Sequence, residues 1–401
     1  MRSASNQMSD PIPRPEPVPQ TTVSVYVGPS LESIRAIAAT YFNVKDAFLD
    51  PYGVPTVLLA AEPVKQKFET LLRQIAGQNL VAAIRGHGDT LTLKFFQKPQ
   101  MGPPRKWINL VLFIATLGTV LLTGLAVWGI FSDIIDPAAN SLIKAGEFAG
   151  GLLAIIGLHE FGHKASTRYH GLDATLPYFI PGPPLVAFGT IGTFGAVISL
   201  REPPHNRDQL FDLGLSGPLV GFIVMIAVVI MGILSGLPLN NAQIDALTTR
   251  GLLTTDSWPT QPLIFYLLGN LQGILRPGFG DTVIYSQLFF AARIGALLTF
   301  LNLIPAWQLD GGHIWRATFG AEGHRMATTI AIFALFVPVF LGYSGFIGFA
   351  IILLIFMSLS RRGVSGVEPL DDVSAISNWR KIMFITGLVA LFLSFSISPF
   401  G

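Results

Sequence analysis

The sequence predicts a polytopic α-helical membrane protein of six or seven spans, preceded by a small N-terminal α+β, ferredoxin-like soluble domain. Three observations carry this. Hydrophobic residues make up 51% of the 401-residue chain and charged residues only 12%, about half the charge content of an ordinary soluble domain. Residues 107–132, 213–244, 326–360 and 382–401 contain no Asp, Glu, Lys or Arg, and each run is long enough for a hydrocarbon core that takes roughly 20 helical residues to cross. Residues 22–98, by contrast, alternate apolar and polar positions in short runs.

From the N-terminus, residues 1–21 carry Pro11, Pro13, Pro15, Pro17 and Pro19 together with Asp10 and Glu16. That pattern lacks the apolar core of a signal peptide, so a disordered, partly polyproline arm is expected. Strands are expected at Thr22–Val27, Val44–Leu49, Thr56–Ala60, Val81–Arg85 and Thr90–Phe96, with helices at Leu31–Tyr41 and Val64–Ala76. Strand, helix, strand, strand, helix, strand is the order of the split βαβ unit, here with an extra hairpin around Gly86–Asp89. No catalytic spacing occurs in it, so a regulatory or docking role is expected. Residues 99–106 read as a linker, and 107–401 as the membrane domain.

Spans are expected near 107–131, 147–167, 210–235, 285–305, 326–359 and 382–398. The fifth is too long for one upright helix at 1.5 Å per residue, and Gly342–Gly345 offers a turn that would divide it. With these spans, Lys164, Arg168, Arg201, Arg207, Arg316, Arg325, Arg361, Arg362, Arg380 and Lys381 fall on one side. Only Lys144, Arg250 and Arg276 fall on the other. Positive loops mark the cytoplasmic side, which places the N-terminal domain in the cytosol; the expected location is a prokaryotic plasma membrane. A net charge of +2 without a basic stripe gives no footprint for nucleic acid. The absence of cysteine excludes disulfides, thiol nucleophiles and cysteine-type zinc sites.

The chemistry concentrates in the second span, at His159-Glu160-Phe161-Gly162-His163. Residues four apart share a helix face, which suits two imidazoles reaching one Zn²⁺, and the intervening carboxylate is placed to handle a water's proton: the H-E-x-x-H pattern of metallohydrolases. Three ionisable groups within five residues of an apolar span are costly and by default functional. Tetrahedral zinc needs a third protein ligand and an open position. The best candidate is Asp310, expected at the end of the fourth span, where Gly311 and Gly312 let the backbone turn and approach closely and Pro305 interrupts the helix.

These motifs resemble those of the site-2 protease family of membrane-embedded zinc metalloproteases, over about residues 147–325. The resemblance rests on His159-Glu160-x-x-His163 followed by Asn302-x-x-Pro305 and Leu309-Asp310-Gly311-Gly312. Gly192-Thr193-Phe194-Gly195-Ala196 and Asn206-Arg207-x-x-Leu210-Phe211-Asp212-x-Gly214-x-Ser216-Gly217-Pro218 are similar to the archaeal and plastid-type branch. The resemblance implies one Zn²⁺ per chain on His159, His163 and Asp310, with Glu160 as general base and Asn302 as a polar helper near the substrate. The implied substrate is a transmembrane helix of another protein; because Lys164 and Arg168 place His163 close to the cytosolic end of the second span, the cut is expected near the cytosolic end of the substrate. The alternatives are a zinc-binding scaffold without turnover, or a polytopic transporter. Gly-x-Ser-Gly at 214–217, 342–345 and 363–366 reflects a composition of 41 glycines, and Gly278-Phe279-Gly280-Asp281 lacks the Tyr-Asp partner of an aspartyl site. His87, His170, His205, His313 and His324 read as surface or loop residues.

Overall fold

The structure is a computed structural model that describes residues 28–98, 102, 105–184, 191–253, 261–278, 282–340, 346–359 and 368–396. The Pro-rich arm and the expected strand at 22–27 lie outside these residues.

The N-terminal unit runs α1 (Leu31–Ala39), β1 (Val44–Leu49), β2 (Pro55–Ala60), α2 (Lys65–Ile75), β3 (Leu80–His87) and β4 (Thr90–Gln97). Ser30 caps α1 by accepting from the Ser33 amide at 3.2 Å, and α2 turns Phe68, Leu71, Leu72 and Ile75 inward, the i, i+3, i+4, i+7 stripe of a one-faced helix. The four strands form an antiparallel sheet in the order β1-β2-β4-β3. In a split βαβ unit the place beside β2, opposite β1, belongs to the first strand. Here β4 fills it, because β4 pairs with β2 from Thr56↔Lys94 to Ala60↔Thr90.

The rest is mainly helical: α3 (Lys106–Ile135), α4 (Ser141–Tyr169), β5 (Tyr178–Pro181), β6 (Thr193–Val197), α5 (Arg207–Ser235), β7 (Leu237–Pro238), α6 (Asn241–Thr249), α7 (Leu263–Gly269), α8 (Gln272–Leu275), β8 (Ile284–Tyr285), α9 (Gln287–Leu303), α10 (Asp310–Phe340), α11 (Ile347–Leu359) and α12 (Asn378–Ser394). Among the described residues, three helices, α3, α4 and α5, are long and apolar enough to cross a membrane. Side chains of Asn140, Asn206 and Ser286 accept amide hydrogens at the starts of α4, α5 and α9, satisfying donors a helix leaves open at its N-terminus. β5 and β6 pair as a separate two-stranded sheet.

The expected fifth span appears as α10 and α11 on either side of 341–345, so the proposed break at Gly342–Gly345 lies outside the described residues. A different interruption occurs inside α10, at Gly320, whose φ of 74° and ψ of −167° are not helical.

The N-terminal unit docks on the membrane part through residues 368–372. Ile84 of β3 donates to Leu370 (2.9 Å), while Leu370 and Asp371 donate to the carbonyls of Pro204 and His205 (2.8 Å each). Ion pairs flank this joint: Lys65–Asp208 at 2.6 Å, Arg85–Glu368 at 3.1 Å and Lys98–Glu202. Beneath it, Arg316 grips Asp372 with two hydrogen bonds of 2.7 and 2.6 Å, and Asp372 also takes Arg207.

Candidate metal centre

His159, Glu160 and His163 lie on α4, and all three are at most 8% exposed. α4 is held from both sides at this level. A β-carbon at Gly162 would sit 2.6 Å from the Ser216 carbonyl, so α4 and α5 cross in near backbone contact. Gly217 of α5 faces His163, and a β-carbon there would overlap Nε2. One turn on, a β-carbon at Gly221 would come 3.1 Å from Nδ1 of His159. The imidazoles therefore occupy space that α5 leaves by carrying glycines at 217 and 221. Sequence reading gave these glycines no place in the site, although their helical spacing is the signal that could have found them.

The ring of His163 is oriented by its other nitrogen, since Nδ1 lies 2.8 Å from the Leu213 carbonyl. A carbonyl only accepts, so Nδ1 carries the proton and Nε2 presents a lone pair, the outer hydrogen bond usual for a metal-binding histidine. Nε2 of His159 is 3.1 Å away. Oδ2 of Asp310 lies 3.3 Å from both Nε2 atoms, closing a near-equilateral triangle of donors from helices 150 residues apart in sequence. In a tetrahedral site with bonds of about 2.0–2.1 Å, ligand atoms stand roughly 3.3 Å from one another. The triangle has that size, and two imidazoles with one carboxylate are a donor set that zinc accepts. Oε1 of Glu160 is 4.0 Å from Nε2 of His159. It stands beside the triangle as part of a His159, Glu160, His163 group able to hold a metal ion.

Asp310 opens α10 rather than ending the fourth span. α9 stops at Leu303, two residues before Pro305, and 304–309 form a turn. The sharp bend falls at Trp307, whose φ is 46°, and not at Gly311 and Gly312, which are helical. Those glycines serve close approach alone: a β-carbon at either would overlap carbonyls of Leu303 or Trp307. Asn302, on the last turn of α9, directs Nδ2 to within 3.4 Å of Nε2 of His159, so all five predicted site residues converge. His324, expected at the surface, is 1% exposed. Ser216 of the 214–217 motif is helical and bonded back to Leu213, not presented as a nucleophile; 342–345 and Asp281 lie outside the described residues. A cavity of about 640 Å³ between the N-terminal unit and the membrane part includes none of these five residues.

Fold and site together define a helical membrane protein carrying a buried two-histidine, one-carboxylate cluster. Residues 147–344 match the family model described as peptidase family M50, which supports the resemblance to the site-2 protease family. Similar proteins include the probable zinc metalloprotease EGY2, chloroplastic, of Oryza sativa subsp. indica, 27% identical over 59% of this chain and 41% of its own length. EGY1 of Arabidopsis thaliana, likewise named a probable chloroplastic zinc metalloprotease, is 27% identical over 73% of this chain and 54% of its own. EGY3 of Oryza sativa subsp. indica is 23% identical over 82% and 58%. The chain thus spans about half the length of these relatives. No solved structure matches it significantly. The relatives' chloroplastic names lend no support to the expected prokaryotic plasma membrane, while the apolar helices fit a membrane location.

Proposed function

We propose that this chain is an intramembrane zinc endopeptidase that hydrolyses a peptide bond in a transmembrane segment of another protein. The observation that carries the reading is the donor triangle of His159, His163 and Asp310 with a fourth ionisable group, Glu160, beside it, all within apolar helices. His159, His163 and Asp310 would hold one zinc ion, the metal that the relatives' names print. Zinc bound there supplies Lewis acidity to a scissile carbonyl and to the attacking water. Glu160 accepts the water's proton and delivers it to the departing amide nitrogen. Asn302, at the edge of the triangle, donates a hydrogen bond to the substrate carbonyl as charge develops on its oxygen.

A helical substrate has its backbone groups already paired, so it must unwind before a peptide bond can enter. β5 occupies one edge of β6, and the other edge offers backbone groups to an extended substrate strand. Because β6 packs against α4, the helix that carries Glu160, a strand paired there would run near the base. His163 lies six residues, roughly 9 Å, from the end of α4. The charge bias puts that end, and the N-terminal unit, on the cytosolic side, so the cut falls near the cytosolic end of the substrate span.

The test compares wild type with Glu160→Gln for zinc content and for cleavage of a transmembrane peptide by mass spectrometry. One zinc per chain in both, with cleavage lost only in the variant, is the expected result. Undiminished cleavage by Glu160→Gln refutes the base, zinc without turnover in wild type makes the chain a scaffold, and absence of stoichiometric zinc favours a transporter.

A further inference from the structure

Trp307 holds a left-handed backbone conformation, φ 46°, three residues before Asp310. For a bulky residue this is strained and persists only where the surroundings over-determine it. Both polar groups flanking its Cα are gripped by one helix. The Trp307 amide donates to Oγ1 of Thr328 at 3.1 Å, and Nε2 of His324 donates to the Trp307 carbonyl at 2.9 Å. His324 and Thr328 are four apart on α10, sharing a face, and are 1% and 0% exposed.

The helix carrying them can grip the turn because α10 is interrupted at Gly320, four residues before His324. Beyond that break it packs Ala331 and Leu335 with Ile304 and Ala306 of the turn, in one buried cluster with Phe346 and Leu353. On its other side the Trp307 carbonyl presses on Gly312, leaving no room for a β-carbon. The turn then closes through the Leu309 amide to Ala306 at 3.1 Å, and the next residue is Asp310.

We infer that His324 and Thr328 are positioning residues for the metal centre: by clamping both sides of Trp307 they fix the turn that aims the Asp310 carboxylate at His159 and His163. This rests on the reading of Asp310 as a metal ligand. Releasing Trp307 would let its carbonyl rotate away from Gly312 and shift the start of α10, opening the 3.3 Å sides of the triangle. Outer-sphere partners of metal ligands typically govern affinity by ten- to hundredfold. The same scale is expected here, although neither residue touches a ligand.

The experiment titrates the metal-free, full-length protein with Co²⁺ and follows its ligand-field absorption. His324→Leu and Thr328→Val should each weaken Co²⁺ binding ten- to hundredfold and change the spectrum. His324→Gln, which keeps a donor, and Thr328→Ser, which keeps the hydroxyl, should restore both. Wild-type binding by the Leu and Val variants overturns the inference, and so does equal loss in the Gln and Ser variants, which would mark a packing role alone. If His324→Leu does not fold, the Thr328→Val and Thr328→Ser pair decides. Asp310→Asn separates the two levels: wild-type Co²⁺ affinity in that variant defeats the ligand reading itself, whereas weakened affinity there beside wild-type affinity in Thr328→Val defeats only the positioning role.

Discussion

Gly217 of α5 faces the Nε2 edge of His163 so closely that no β-carbon fits between them. A helix in a neighbouring stretch of chain thus sets how far the imidazole can swing. Gly217→Ala is expected to displace the ring, to cost about 1–3 kcal/mol as other overpacked sites do, and to lose the metal. Gly221→Ala, whose methyl would stand 3.1 Å from Nδ1 of His159, should retain more of it. Metal content and thermal midpoint of the two purified variants check the ranking.

Metal removal should destabilise the wild type and not a ligand variant. At free zinc 100-fold above Kd, binding to the folded state alone adds about 2.7 kcal/mol, which a chelator would abolish and added zinc restore. Asp310→Asn melts should respond less to either treatment, and equal response would count against the triangle as the binding site.

Asp372→Asn leaves Arg316, only 2% exposed, without the carboxylate that takes both its terminal nitrogens. Removing one partner of a buried pair typically costs about 3–5 kcal/mol. Arg316→Met combined with Asp372→Leu should recover part of the loss, because Arg316 is no longer left buried without its carboxylate, although Arg207 still loses its contact with Asp372. Denaturant unfolding measures both, and hydrogen exchange across 368–377 shows whether the joint with the N-terminal unit opens.

His205 sits at that joint, and burial pulls its pKa below the ordinary value, against the opposing pull of the Glu202 and Glu69 carboxylates; Lys98 and His170 also lower it. The folded state therefore resists protonating this imidazole, while the unfolded chain takes the proton near pH 6.5. The stabilising effect of keeping it neutral is complete above that pH and is lost as pH falls through 6.5 towards the depressed folded value. Thermal midpoints should decline from pH 7 to pH 5.5, with a shallower decline in His205→Gln; identical slopes would remove His205 as a cause.

What the chain declares locally proved readable. His159 and His163 share a face because four residues nearly complete a turn, and the charge-free runs at 107–132 and 213–244 become α3 and α5 because lipid-solvated helices tolerate few charges. The Gly86–Asp89 hairpin was visible for the same reason, since its strands are adjacent in sequence. Tertiary structure alone decided that Asp310 starts a helix and meets both imidazoles at 3.3 Å, that β4 rather than the first strand lies beside β2, and that His324 is buried beneath Trp307. Periodicity tells which face of an element is apolar or polar, but not which distant face it will meet. That is fixed by packing between segments far apart in the chain, such as the glycine face of α5 against α4, where a single β-carbon would displace an imidazole.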